Sequence, residues 1–75
     1  MTYNNLLSKL PAHTELHSLT DVVDQQDQHE YASADHSYIL FSYTTNMPET
    51  ILALTSNNID YTIKTDSYGL DYILI

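Results

Sequence analysis

No cysteine occurs in the 75 residues, which excludes disulfides, thiolate metal centres and cysteine nucleophiles. A disulfide-free domain of this size suits a reducing cytoplasm. A single glycine cannot build a phosphate-cradling loop or a nucleophile elbow. Arginine is absent and the only lysines are Lys9 and Lys64, so the surface lacks the cations that contact with nucleic-acid phosphates requires. Attachment to an anionic membrane is disfavoured for the same reason. No apolar run approaches the ~20 residues of a membrane span. The opening "MTYNNLLSKLP" has no basic region leading into an apolar core, so a secretory signal is not expected.

What is present is acid. Ten carboxylates give a formal net charge of −8. Eight of them, Glu15, Asp21, Asp24, Asp27, Glu30, Asp35, Glu49 and Asp60, fall between the two lysines, so local ion pairing neutralises little. Self-repulsion therefore works against the compact state. Apolar residues at 43% still exceed what a disordered chain of this charge carries, so one folded domain spanning residues 1–75 is expected. A chain this short buries only about 60% of its unfolded surface, which leaves no room for a deep enclosed active site.

The pattern of elements predicts an α+β domain. It has a small three- to four-stranded antiparallel sheet with one or two helices on one face, in the approximate order α, α or β, β, α, β, β. Residues 2–10 read as a short helix capped by Thr2, with Tyr3, Leu6, Leu7 and Leu10 at helical spacing and Pro11 as its stop. Residues 14–31 allow two readings. Leu16, Leu19, Val22 and Val23 fit a helical face with Ser18-x-x-Asp21 as a capping box. Alternatively, Leu19, Asp21 and Val23 share one side of an irregular strand. The helical reading is favoured, fraying near Gln25 into an exposed polar loop.

Residues 37–45, "SYILFSYTT", read as a central strand, with residues 31–34 as a short antiparallel partner through a turn at Asp35-His36. "NMPETILALTSNN" is a helix, with Asn46 and Glu49 as a capping pair, Pro48 in the first turn and Asn57-Asn58 as a left-handed cap. "IDYTIKT" and "LDYILI" form a closing hairpin around the chain's only glycine, Gly69.

Catalytic and metal chemistry find little support. His13 and His17 stand four apart, and His29, Glu30, Asp35 and His36 are further ligand types, but "HTELH" lacks the adjacent glutamate of a zinc-protease helix. These histidines are expected at the surface, with no metal and no cofactor. "DVVDQQDQHE" places an acid at every third residue without the central glycine of a calcium loop. As a helix these acids would spiral about the axis, and as a strand they would alternate between faces.

The acids also recur beside tyrosine, in Glu30-Tyr31, Asp60-Tyr61, Asp66-x-Tyr68 and Asp71-Tyr72. Tyrosine brings a flat apolar contact and a hydroxyl at low entropic cost, which suits an interface. The blander reading is that the acids maintain solubility and the tyrosines are ordinary strand residues. In length, lack of cysteine, acid excess and α+β outline, the whole chain resembles the small acidic proteins that phages and mobile elements use against host nucleases, including anti-CRISPR proteins and other DNA mimics. The resemblance is one of profile and carries over no motif residue by residue. It implies a non-catalytic inhibitor in the host cytoplasm that binds the basic, nucleic-acid-contacting face of a defence nuclease or surveillance complex, a CRISPR effector subunit being one such partner.

The partner-binding candidates are Asp21, Asp24, Asp27, Glu30, Tyr31 and Asp35, with a second patch of Asp60, Asp66, Tyr68 and Asp71. No direct contact with nucleic acid is expected. A different class stays open: the apolar C-terminal strand at a sheet edge would make a homodimer or an antitoxin-like module through strand addition.

Overall fold

The computed structural model describes residues 2–25 and 29–75. The first helix, α1, is Tyr3–Ser8, started by the Thr2 hydroxyl, which accepts the Asn5 N–H at 3.2 Å. Its inward residue Leu6 is fully buried, which gives so short a helix the docking it needs. Leu19, Asp21 and Val23, which the strand reading set on one side, are helical, and only two residues ahead of them form a strand. A two-residue strand β1, His17–Ser18, runs directly into helix α2, Leu19–Asp24. Ser18 occupies the N-cap position of α2 but makes no side-chain cap bond, so the expected capping box does not form.

The central strand β2 is Tyr38–Phe41, shorter than the nine residues expected. Ser42–Thr44 turns into a 3-10 segment, where the Thr44 hydroxyl donates to the Phe41 carbonyl at 3.3 Å. Hydroxyl side chains offer the backbone such local bonds in competition with a ladder. Residues 31–34 do not pair with β2. That place is taken by β1, with His17 opposite Ile39 and Ser18 opposite Tyr38, while His29–Tyr31 forms a 3-10 turn. The reason is the Tyr31 ring, which lies edge-on against Phe41 at 5.3 Å and Tyr72 at 4.9 Å, above the sheet rather than within it.

Helix α3, Met47–Ser56, begins as expected, with Asn46 Oδ1 accepting the Glu49 N–H and Pro48 in the first turn. It ends with Asn58 in the left-handed region at φ 56°. Strands β3, Thr62–Thr65, and β4, Asp71–Leu74, form the hairpin. The antiparallel sheet has the order β1-β2-β4-β3. The C-terminal strand is therefore interior, not an edge as the strand-addition reading required. Ile75, just beyond it, is bonded to β2 through mutual Tyr38–Ile75 backbone bonds of 2.9 Å. The edge beyond β4 belongs to β3.

β2 and β4 are buried on both faces, so their side chains feed two cores. Leu40 and Ile73 join Leu6, Leu10, Leu16 and Leu54 beneath α1 and α3. Ile39, Phe41, Tyr72 and Leu74 join Leu19 and Tyr31 beneath α2 and the 3-10 turn. The expected pair of helices on one face is α1 with α3, and the opposite face carries an acidic layer of its own. Among the described residues no helix is long and apolar enough to cross a membrane.

Candidate acidic interface

The acidic layer is built from α2 and the turn His29–Tyr31, both packed on the Ile39/Phe41/Tyr72/Leu74 face. Leu19, Val22 and Val23 point inward, which leaves Asp21 and Asp24 exposed on the outer side of α2. These two acids are three apart on a helix and therefore neighbours. Asp27 lies outside the described residues.

Glu30 and Asp66 are brought together although 36 positions separate them in the chain. Glu30 accepts the Ser67 N–H at 3.1 Å and the Ser67 hydroxyl at 3.4 Å. Beside it, the Tyr31 hydroxyl donates to Asp66 Oδ2 at 3.1 Å. Asp66 Oδ1 accepts the N–H groups of Tyr68 and Leu70, both at 2.9 Å, which folds the β3–β4 connection around Gly69 at φ 82°. The hairpin tip is thus clamped to the acidic layer, where Glu30 and Tyr31 of the first sequence patch meet Asp66 and Tyr68 of the second.

The electrostatics follow from these bonds. The Leu70 N–H is the main influence holding the Asp66 carboxyl below its usual range. Partial burial opposes it, and the Tyr31 hydroxyl and Tyr68 N–H reinforce it. Burial pushes the Tyr31 hydroxyl well above the usual tyrosine value, and the Asp66 and Glu30 carboxylates push it further. Tyr72 moves the same way, through burial and then the same two carboxylates.

The candidate residues do not form one surface. Tyr31 is only 7% exposed, so it holds the layer in place from beneath instead of offering its ring to a partner. Asp71 shares a sheet face with Ile73, opposite the acidic layer, and accepts the Thr65 hydroxyl at 2.8 Å. Asp35 and Asp60 line a separate hollow of about 290 Å³ beside Leu6 and Ile75. Tyr68, 84% exposed at the hairpin tip, stands free for contact.

Metal chemistry gains nothing. His13 sits in a left-handed turn at φ 66° and His17 in β1, so they share no helical face. Among the described residues no group of three or more histidine or carboxylate side chains is placed to hold a metal ion.

One feature escaped the sequence reading. Tyr3, Leu16, His17, Asp21, Gln25 and Tyr38 line a groove of about 590 Å³ between α1 and α2. The rings of Tyr3 and Tyr38 lie 6.1 Å apart at 55°. Neither lysine lines this groove. Only the β1–β2 pairing brings Tyr38 to residues 17–21, and no local spacing announces a pairing of two residues. Comparison of the chain with protein-family models, curated proteins and solved structures finds no match.

Proposed function

We propose that this protein is a non-catalytic inhibitor of the DNA-mimic type. It presents its acidic layer to the basic, nucleic-acid-contacting surface of a defence nuclease or surveillance complex in the cytoplasm. The observation that carries the reading is the layer itself: Asp21, Asp24 and Glu30 are exposed on elements packed against one face of the sheet, in a chain with ten acids and two lysines. Such a layer attracts a cationic cleft at long range and repels nucleic acid, which is how a competitor for that cleft must behave. The competition rests on the field of these acids and on local contacts.

The structure also determines which variant tests this cleanly. Glu30 clamps the hairpin tip, so its removal would mix loss of charge with loss of shape. Asp21→Asn with Asp24→Asn removes two exposed charges from α2 and leaves its buried face intact. The assay is DNA binding by guide-loaded CRISPR effectors and other nuclease complexes, followed by fluorescence anisotropy with increasing protein. The expected result is stoichiometric displacement by the natural chain at about 50 mM salt, with direct binding of the labelled natural chain to the same complex weakening about tenfold or more between about 50 and about 200 mM salt. The double variant should displace DNA much less. Displacement by the double variant equal to that of the natural chain, or displacement from no complex at all, overturns the proposal.

A further inference from the structure

We propose that the groove between α1 and α2 is a socket for an arginine side chain of the partner. The inference rests on the reading that the partner is basic, and names the group that would be recognised.

The groove combines two features that a guanidinium requires and few other groups can use together. One is an aromatic wall. The Tyr3 hydroxyl donates to the Leu16 carbonyl at 2.9 Å, which anchors the ring, while 40% of the residue remains exposed. Tyr38 stands beside it, its ring 6.1 Å away and tilted at 55°, and both residues line the groove. A flat, weakly hydrated cation stacks on such a wall and gains from the ring quadrupole. The other feature is Asp21, which lines the same groove and carries a carboxylate that matches the planar fork of a guanidinium.

The alternatives fit less well. An anion would meet the acid Asp21 in a lining that has no lysine and a single histidine, His17. An apolar group would take the carboxylate out of water without a partner. A lysine ammonium can pair with Asp21 but, being a compact and strongly hydrated point charge, cannot stack its head on the ring. The hollow beside Asp24, of about 200 Å³, has a carboxylate but no tyrosine in its lining. The general acidity of the chain draws in a cationic surface, and the groove selects which of its side chains is seated.

The test uses isotope-labelled protein titrated with three capped pentapeptides, glycine at every position except a central arginine, lysine or citrulline. Chemical-shift changes from the arginine peptide should concentrate at Tyr3, residues 17–25 and Tyr38. Arginine should bind about threefold or more tightly than lysine, and citrulline, which keeps the shape without the charge, should produce no site-specific shifts. Asp21→Asn should weaken arginine binding about tenfold, whereas Glu49→Gln on α3 should leave it unchanged. Tyr3→Leu should weaken it about threefold, read only if the rest of the spectrum is preserved. Shifts spread evenly over all exposed acids, an equal response to citrulline, or indifference to Asp21→Asn would overturn the socket. Seating of arginine here, without nucleic-acid displacement from any complex, would sink the inhibitor reading and leave the socket standing. Displacement without a site-specific arginine response would do the reverse.

Discussion

Asp66 and Tyr31 show that an acid excess can serve the fold as well as a partner. The Asp66 carboxylate accepts two backbone N–H groups of its own hairpin and the Tyr31 hydroxyl, which stabilise its negative charge. Its lowered value means that the native state gives up this proton more readily than the unfolded chain does. The stabilisation is complete above the ordinary aspartate value of about 4 and is lost as pH falls from there through the lower native value. Tyr31 and Tyr72 act at the other end. Their raised values keep them neutral in the native state, so stability is intact below about pH 10 and declines as the unfolded chain's tyrosines ionise above it. Tyr31→Phe removes one of these groups and should shallow the alkaline decline of the urea midpoint while lowering the midpoint at neutral pH. An alkaline decline as steep as in the natural chain would show that Tyr31 is not a source of it. Thr50 gives a prediction of opposite sign. It is fully buried in α3, and its hydroxyl meets no hydrogen-bond partner among the described residues. Thr50→Val keeps the shape and removes the buried polar atom, so urea unfolding should show a gain of about 1 kcal/mol.

At the level of elements, the two strands of the hairpin differ sharply in what they tolerate. Ile73 lies on the interior strand β4 opposite Leu40, with a fully buried side chain. The Tyr38–Ile75 backbone pair fixes the alternation along β4 and turns the Ile73 N–H toward β2. Ile63 faces Ile73 from the edge strand β3, is 45% exposed, and by the same alternation aims its N–H outward. Ile73→Pro should therefore abolish the folded circular-dichroism and thermal-unfolding signals, while Ile63→Pro should retain a cooperative transition. Unfolding by both would mean that the edge is not where the register places it. Much of this architecture was legible in the sequence. The cap at Asn46, the left-handed Asn58 and the alternation of the hairpin are local signals with local causes, whereas α1 ends at Ser8, short of the expected stop at Pro11. The order of strands was not legible, because the apolar run "LDYILI" reads alike for an edge and an interior strand. The place of Tyr31 was hidden for a related reason. Beside Glu30 it resembles an interface residue, and only the approach of Phe41 and Tyr72 makes it core. The candidate site was legible as charge alone, and the aromatic groove needed the β1–β2 pairing to exist.

For the whole molecule, the charge of −8 must act in two opposite directions at once. Within the chain the carboxylates repel one another, with Lys9 at the end of α1 and Lys64 on β3 as the only lysine or arginine side chains to offset them. Raising salt screens that repulsion over a Debye length that shrinks from about 30 Å at 0.01 M to about 8 Å at 0.15 M. Thermal stability should therefore rise with sodium chloride across this range, most steeply at its lower end. Between the chain and a basic partner, the same screening removes attraction and reduces the gain from releasing the partner's counterions, so affinity should fall over the same range. A small acidic protein that is merely soluble shares the first response and lacks the second. Asp21→Asn with Asp24→Asn separates the two further: the variant should gain stability at low salt, having lost two repelling charges, while losing affinity and part of its salt dependence. Calorimetry and anisotropy on the same samples check both directions. A double variant that is destabilised at low salt would show that these carboxylates support α2 locally, and the charge balance would then have to be read from the fold outward.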